Sequence, residues 1–579
     1  MRRKPHVPAA VSASSRAEAA LVVLAALLAG LPLLSGRVLG GHDVATYLMY
    51  APEVAGLLRE GVFLPAWASD LNAGFGGPGL LFYPPLVNLP HALLLLAGIP
   101  PALGVGLVAV ALLAASGLAV LAWLRSSGLG SGALAGALVY VASPYRLVDL
   151  YERTALSEHL SFVFPPLALW ALASSRPASP TRRAALVALA VAGLLLSNFP
   201  AAVLFGAALA ASVLHPAVAG RRLAAVAGAS LGAGLAAFAL VPAALSGRWC
   251  AVELFYSGAS PVFRPSQHVL FGPAELNPEF GRRVSWALLA LAALLLVAFL
   301  AGRLRGPADP RRGLWGALAL AAFLAVLPPA GSLWDALPLL SKLQFPWRLA
   351  TVLTLALPPL VALLPRRAAF ALAAAAATMS LPWYGRLTAP LAAVPLEAPA
   401  FAAPGTAFPE PLAVHDAAGL SAHPWMRNPD LLDVWFVPRD ATPPFWRALL
   451  AGNSRASVPE LATAPVASRS GPLAWRLESR GRLSQSVVVD APGGTLLLHQ
   501  LFFPGFRTFV DGVDRPARPD PRTGILSVEV PPGRHAVAWR WEPFAPLPAA
   551  RVASAAAVAL LVALLAFPSL RRTRPAPEA

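Results

Sequence analysis

Cysteine and charged residues are both scarce in this sequence. Cys250 is the only cysteine among 579 residues, which excludes a disulfide framework and a metal site built from several thiolates. Only 13% of the residues are charged, whereas about 25% is usual for a soluble domain. Hydrophobic residues make up 57% of the chain. This composition predicts a polytopic membrane protein.

Several functional signatures are also absent. The sequence has no Gly-x-x-x-x-Gly-Lys phosphate loop and no credible dinucleotide-binding fingerprint, so we do not expect an ATP-driven or NAD-dependent protein. No two histidines expected outside the membrane have the His-x-x-x-His spacing of a zinc site. The net charge of +17 lies largely in short arginine clusters between apolar segments. That distribution favours membrane topology and anionic lipid over nucleic acid.

Apolar stretches of membrane-spanning length recur along the chain, since roughly 20 helical residues cross a bilayer. The first stretch follows Arg2-Arg3-Lys4 and has no Ala-x-Ala cleavage site, so we expect a retained helix rather than a signal peptide. The stretch 86–98 is too short to span and is expected to be interfacial or re-entrant. Twelve spans are predicted, at residues 17–36, 101–124, 130–145, 157–174, 183–199, 200–215, 222–246, 284–302, 313–330, 346–364, 368–384 and 550–568.

The arginine clusters predict the topology, because cytoplasmic loops are enriched in Lys and Arg. Twelve spans with both termini inside place every major short cluster on the cytoplasmic side, whereas a thirteenth span at 86–98 would move most of them outside. The extracytoplasmic segments are then 37–100, 146–158, 247–283, 331–345 and 385–549.

The segment 385–549 differs in composition from the membrane domain, 1–384, and predicts an extracytoplasmic domain before the last span. From about residue 484 it alternates apolar and polar residues, which is typical of antiparallel strands, and residues 531–534 predict a turn. Residues 390–465 show no clear period. Residues 550–579 are expected to form the final membrane helix and a basic cytoplasmic tail.

Asp43 lies just after the first span, in Gly40-Gly41-His42-Asp43-Val44. A partly buried carboxylate there could act as a general base. It could equally cap a helix that begins near Val44, because Asp is a favoured N-cap residue. Position alone leaves both interpretations open.

A second group of ionisable residues lies between two predicted spans. If this segment is helical, Asp149, Glu152 and Arg153 share a face, with Arg153 four residues after Asp149. Burial at membrane depth would favour a functional role because it is costly, but a solvated loop with internal ion pairs is the alternative. The group comprises Arg146, Asp149, Glu152, Arg153, Glu158 and His159.

The tenth predicted span opens with Gln344-Phe345-Pro346-Trp347-Arg348. Arg348 could bind a phosphate through two hydrogen bonds, with Trp347 at the headgroup level. An aromatic belt with an arginine that extends to the interface is an equally good interpretation.

The combination of Asp43, Leu81-Phe82-Tyr83-Pro84-Pro85, the Ser-Pro-Tyr-Arg loop and Gln344-Phe345-Pro346-Trp347-Arg348 resembles a bacterial membrane family labelled "6-pyruvoyl-tetrahydropterin synthase-related". That family is related to YfhO-like and GT-C-type membrane glycosyltransferases. The resemblance covers most of 17–384 and, more loosely, the C-terminal part. Pterin chemistry is not expected, because the clustered histidines of pterin synthases are missing.

The resemblance implies a GT-C-like helical bundle of about twelve spans with a small β-domain, in the bacterial cytoplasmic membrane. It implies a polyprenyl-phosphate sugar donor, with Asp43 as base or metal ligand. The family usually has two adjacent acids there, whereas here His42 precedes Asp43. Mg²⁺ or Mn²⁺ at Asp43 or Glu158 is compatible with the sequence but not demanded by it. Substrate contacts are implied for His42, Tyr83, Arg146, Asp149, Glu152, Arg153, Glu158, His159, Gln344, Trp347 and Arg348.

These observations favour a glycosyltransferase that acts at the outer face of the cytoplasmic membrane on a glycan, lipid or protein acceptor. One alternative is a transporter or flippase of lipid-linked saccharides. A transporter should carry polar groups that contact the substrate within its spans, whereas this chain has nearly all its ionisable residues at the edges of the predicted spans. The other is a non-catalytic scaffold whose β-domain binds glycan. No nucleic-acid partner is expected.

Overall fold

The protein is described here from a computed structural model. The structure describes residues 13–36, 43–72, 74–175, 179–250, 264–274, 278–306, 308–385, 438–441, 461 and 464–566. His42, most of the segment 390–465 and the basic tail 567–579 lie outside the described residues.

The described chain is mainly helical. Its α-helices are α1 Ala13–Gly30, α2 Val44–Arg59, α3 Gly79–Phe82, α4 Pro85–Leu96, α5 Pro101–Ser126, α6 Gly130–Val141, α7 Pro144–Val148, α8 Leu156–Ser161, α9 Phe164–Ala173, α10 Pro180–Leu195, α11 Phe199–Leu214, α12 Arg222–Ser246, α13 Pro278–Arg305, α14 Pro310–Leu324, α15 Gly331–Ala336, α16 Pro338–Ser341, α17 Ala350–Ala362, α18 Arg366–Ser380 and α19 Pro546–Ala566. Short 3₁₀ turns occupy Leu31–Ser35, Pro216–Arg221, Gly247–Trp249, Pro265–His268, Pro328–Ala330 and Pro346–Leu349.

Seven helical segments in the described residues are long and apolar enough to cross a membrane, or eight if one bent pair counts as a single span. They are Ser15–Ser35, Pro101–Ser126, Gly130–Arg153, Leu156–Ala173, Val218–Trp249, Pro278–Arg305 and Pro546–Ala566. The predicted count of twelve is not confirmed. Helices such as α11, with 16 residues, reach only about 24 Å, whereas the hydrocarbon core is about 30 Å thick.

Helix α6 packs closely against α17 because small residues face it. A Cβ atom added at Gly132 would lie 2.4 Å from the carbonyl oxygen of Ala362, and one added at Gly136 would lie 2.9 Å from that of Pro358. Such close approach through glycine is common between membrane helices. The two helices run antiparallel, so the chain that follows α6 meets the chain that precedes α17. This packing brings two predicted site segments together.

The C-terminal sheet has seven strands, all antiparallel, in the order β1-β3-β7-β4-β5, with β2 beside β3 and β6 beside β7. Strands therefore begin at residue 466, earlier than the predicted residue near 484. The strands are β1 Val466–Ser468, β2 Ala474–Arg480, β3 Ser484–Leu501, β4 Phe506–Val510, β5 Val513–Arg515, β6 Arg518–Pro519 and β7 Ile525–Trp541.

The turn predicted at residues 531–534 is wrong, because β7 continues through it. Strand β3 carries its own proline and glycines at the same level, and Pro492 lies opposite Pro532. Gly493, Gly494 and Gly533 all have positive φ, a conformation that glycine adopts without steric cost. Strands β3 and β7 are therefore distorted at the same level and stay paired across the distortion.

The sheet docks on the segment between the first and second membrane helices. The Trp67 ring is buried and stacks on Trp541 with a centroid distance of 5.3 Å. The backbone N–H of Leu501 and the Gln500 amide both donate to the carbonyl oxygen of Phe75, at 2.7 and 2.6 Å. These contacts hold the sheet against the segment that begins at Asp43.

Arg482, in the β2–β3 connection, adds an ionic contact to this interface. Its guanidinium donates to Glu53, at 3.2 Å, and to Asp70, and its backbone N–H donates to Glu60. Glu53 is buried and also accepts from the backbone N–H groups of Ser69 and Asp70. Burial and the nearby Asp70 charge raise the pKa of Glu53 to about 7, against the lowering effect of Arg482.

We predict that docking of the sheet depends on pH through Glu53. Because the pKa is raised in the folded state, the folded protein binds the proton more tightly, and stability falls as the pH rises from about 4.5 to about 7. In Glu53→Gln this titration is absent. The difference in Tm, wild type minus variant, should therefore decrease by roughly 3–5 °C between pH 5 and pH 8 in detergent.

Glu60→Gln is the matched control, because it removes an exposed carboxylate bound to the same arginine. This variant should retain the pH dependence of the wild type. A difference between wild type and Glu53→Gln that is constant with pH would contradict the prediction.

Candidate functional site

The ionisable segment after α6 is a broken helix. Helix α7 passes into a single π-helical turn, Asp149–Arg153, and the chain then breaks at Thr154, whose φ is 55°. Helix α8 begins two residues later. Because of this break, Glu158 returns toward Arg153 instead of continuing along the same helix.

The interpretation of this segment as a solvated loop is wrong. All six predicted residues between 146 and 159 are buried, with 5% exposure or less. Their burial meets the condition on which the functional interpretation depended, and the functional role itself stays a prediction.

Three carboxylates converge on the guanidinium of Arg153. Nη1 donates to Asp149 and, at 2.8 Å, to Glu158, and Nη2 donates to Asp43 at 3.2 Å. The pair with Asp149 has the predicted spacing of four residues. The Asp149 and Glu158 side chains are fully buried, whereas that of Asp43 is 31% exposed. Asp43 is therefore the carboxylate of this cluster that a substrate can reach.

Asp43 does not use its carboxylate as a helix cap. It occupies the N-cap position of α2, but its side chain makes no capping hydrogen bond. Its backbone N–H donates to the carbonyl oxygen of Arg153 at 2.8 Å. Backbone and side chain thus both bind Arg153, and the capping interpretation is wrong.

Aromatic residues enclose the cluster. The Tyr145 hydroxyl donates to Glu158 at 2.5 Å. The Arg153 guanidinium lies 4.8 Å from the centroid of the buried Trp347 ring, within the range of a cation–π contact. The Trp347 ring in turn stacks on Phe345, at 4.9 Å. Trp347 is therefore a wall of the site and not part of an exposed aromatic belt.

Arg348 lies at the edge of the same cluster. Its Nη1 donates to the carbonyl oxygen of Leu343 at 2.9 Å and approaches the Gln344 side chain at 3.4 Å. Its Nε lies 3.8 Å from Glu158, too far for a hydrogen bond, and is buried without a partner. Arg348 is 7% exposed, so it does not extend to the interface.

Arg146 and His159 form a separate layer behind the cluster. The Arg146 guanidinium lies between the rings of Tyr140 and Phe162, at 5.0 and 4.8 Å. His159 approaches Arg146 through Nδ1 at 3.5 Å, and its Nε2 lies 3.5 Å from Asp149. Both residues are fully buried. They support Asp149 and do not line the accessible side.

Glu152 does not join the cluster, although it was predicted to share a face with Asp149 and Arg153. It pairs instead with Arg283 of α13, at 2.7 Å. The π-helical turn changes the angular spacing of the residues, so the expected common face is not formed.

Three polar residues beside the site, Tyr47, Ser157 and Asn198, were not predicted from the sequence. The Tyr47 hydroxyl accepts from the backbone N–H of Ser157 at 2.9 Å, and the Asn198 amide donates to the Ser157 hydroxyl at 3.2 Å. Tyr47 follows Asp43 by four residues on α2, a spacing that places both on one face. That spacing was the signal available in the sequence.

Tyr83 connects the site to an apolar cleft. Its ring lies 6.4 Å from that of Tyr47, and burial, with a smaller contribution from Asp43, raises its pKa above the usual range. Tyr83 also lines a cleft of about 160 Å³ between α2, α4, α12 and α19. Leu58, Leu81, Leu86, Ala239, Pro242 and Arg551 are among the other lining residues.

The carboxylates do not fit a divalent cation as they are arranged. Mg²⁺ or Mn²⁺ would need oxygens that point at one shared position. In the part of the chain that the structure describes, no three His, Cys, Asp or Glu side chains are grouped to hold a metal. Asp43, Asp149 and Glu158 are grouped instead around a guanidinium.

Comparisons with known proteins give limited similarity. No family model matches the sequence, and no curated protein matches it. A cryo-EM structure of the arabinofuranosyltransferase AftD from Mycobacteria has 22% identity and a TM-score of 0.39, over 65% of this chain and 27% of that one. A mutant of the same protein has 21% identity and a TM-score of 0.42, over 65% and 28%.

The chain thus spans about a quarter of the length of the solved structures that it resembles. At this level of similarity the function has to be argued from the residues of the site. The family resemblance seen in the sequence remains a prediction.

We predict that Tyr145→Phe destabilises the protein more than Tyr140→Phe. The Tyr145 hydroxyl donates to a buried carboxylate, whereas that of Tyr140 donates to the carbonyl oxygen of Phe162 at 2.9 Å. Loss of the first should cost about 1.5–3 kcal/mol and loss of the second about 0.5–1.5 kcal/mol. Thermal unfolding in detergent measures both, and equal costs would contradict the prediction.

Proposed function

We propose that this protein is a membrane glycosyltransferase that transfers a sugar from a polyprenyl-phosphate donor to an envelope glycan, lipid or protein at the outer face of the cytoplasmic membrane. The observation that carries the proposal is the placement of Asp43. It is the accessible carboxylate of a buried ionic cluster, and its charge acts on Tyr83, a residue that lines an apolar cleft. A polar reaction centre next to an apolar cleft suits a substrate with a sugar and a lipid chain.

Asp43 supplies the base. The acceptor hydroxyl gives its proton to the Asp43 carboxylate, and its oxygen forms a bond to the anomeric carbon. The bond between that carbon and the donor phosphate oxygen breaks, and the electron pair leaves with the polyprenyl phosphate. Arg153 holds the Asp43 carboxylate at 3.2 Å and so orients it for this step.

Arg348 is assigned to the donor phosphate. Its Nε lies 3.8 Å from Glu158 and makes no hydrogen bond, so the carboxylates of the cluster do not saturate this guanidinium. A guanidinium stabilises the charge that develops on a departing phosphate. The Gln344 side chain contacts the Nη1 atom of Arg348, and the Trp347 ring lies against the face of its guanidinium. These two contacts fix the position of Arg348.

The cleft is assigned to the lipid chain of the donor. Most of its lining is aliphatic or aromatic, from Leu58 and Leu81 to Pro242. Burial of a chain there contributes about 0.8 kcal/mol per methylene group. The glycan, lipid or protein acceptor approaches from the side of the sheet, which docks on the segment that begins at Asp43. His42 lies outside the described residues, so its contact with substrate stays a prediction.

We predict that Asp43→Asn abolishes transfer without loss of the folded protein. The amide cannot accept the acceptor proton, so the rate should fall about 10²–10⁴-fold. Mass spectrometry of lipid-linked and surface glycans, in cells that lack the protein and are supplied with wild type or variant at equal membrane levels, measures the effect.

Asp514→Asn is the matched control, since Asp514 is an exposed aspartate of the sheet paired with Arg507. It should restore the same glycan as the wild type. If Asp43→Asn also restores the full profile, Asp43 is not the base and the catalytic assignment fails.

We also predict that Ala239→Phe weakens use of the lipid donor. A phenyl ring at this position fills part of the cleft, so the KM for a polyprenyl-linked donor should rise about tenfold or more with little change in kcat. Leu296→Phe is the control, because Leu296 is exposed on α13. Equal kinetics for the two variants would place the lipid elsewhere.

A further inference from the structure

We infer that Arg153 takes the position among the carboxylates that a divalent cation holds in a metal-dependent transfer site, so that transfer by this protein needs no metal. The inference deepens the proposed function and rests on it. It starts from the convergence of Asp43, Asp149 and Glu158 on one positive group.

The three carboxylates come from separate parts of the fold. Asp43 begins α2, Asp149 lies in the π-helical turn, and Glu158 lies in α8. Carboxylates brought together from distant segments repel one another unless a cation lies between them. A guanidinium has five N–H donors and stays protonated in proteins, so it can bind several oxygens at once.

Arg153 is also fixed in place. Its side chain is only 6% exposed, and its face lies 4.8 Å from the Trp347 ring centroid. Its carbonyl oxygen accepts from the backbone N–H of Asp43. The guanidinium therefore cannot move aside for a metal without loss of its contact with the Trp347 ring and of its hydrogen bonds to the carboxylates.

The formal charges support the same conclusion. Asp43, Asp149 and Glu158 carry three negative charges, and Arg153 with Arg348 carries two positive charges within 4 Å of them. Three minus two leaves one negative charge. Asp43 is the exposed member of the three, so the remaining charge is available where a base is needed.

The test measures metal binding directly, independently of transfer. Thermal unfolding and Mn²⁺ electron paramagnetic resonance are recorded for the purified wild type after chelation, with and without 1 mM Mn²⁺. We expect no change in Tm and no bound Mn²⁺ for the wild type. Arg153→Gln should have a lower Tm that Mn²⁺ raises by roughly 2 °C or more, because the carboxylates then lack their cation.

Two further variants define the site. Arg283→Gln removes an arginine that binds two other carboxylates, Glu152 and Glu279, and should gain no response to Mn²⁺. Arg153→Gln combined with Asp149→Asn should lose the gained response. If Arg153→Gln does not fold even with Mn²⁺ in the growth medium, the inference is tested by the Tm and Mn²⁺ binding of the wild type alone.

The inference would be overturned if the wild-type protein lost stability on chelation and recovered it with Mn²⁺, while Asp43→Asn showed no such recovery. An Arg153→Gln variant that folds and shows no response to Mn²⁺ would also overturn it. Failure of the proposed function can be distinguished from failure of this inference. If cells that lack the protein have an unchanged glycan profile, the proposed transfer is refuted. The inference about Arg153 still holds in that case, provided that the expected responses to Mn²⁺ are observed.

Discussion

The fold of the membrane part depends on one ionic interaction, the binding of three carboxylates by Arg153. Burial of Asp149 and Glu158 without a partner would cost several kcal/mol for each charge. The guanidinium offsets this cost and at the same time fixes the relative positions of α2, the π-helical turn and α8. Trp347, in the segment that precedes α17, packs its ring against the same guanidinium. Four separate segments thus share a single cation.

The local part of this arrangement could be predicted from the sequence. The spacing of Asp149 and Arg153 indicated their ion pair, and the cost of burying charge indicated a functional role for the segment. The return of Glu158 could not be predicted, because it depends on the left-handed conformation of Thr154, a residue type with no special preference for it. Asp43 lies 110 positions from Arg153, and no local pattern indicates that contact.

The sheet shows the same limit. The apolar alternation of β3 and β7 predicted strands, since alternate residues are buried over 484–491 and 537–541. Strand β2 escaped prediction because almost all its residues are exposed, which leaves no alternation to detect. The contact of Arg482 with Glu53 spans 429 positions and joins two regions that the sequence analysis treated separately. Composition and period thus indicate what the elements are, whereas the long-range contacts come from the fold.

Helix α2 is attached at both ends to different parts of the molecule. Its first turn binds Arg153 through Asp43, and residues in its later turns bind the sheet through Arg482. With 16 residues the helix is about 24 Å long and connects the ionic cluster to the residues that bind the sheet. The sheet interface and the ionic cluster therefore share one helix, so the same element positions the Asp43 carboxylate and the residues to which the sheet is bound.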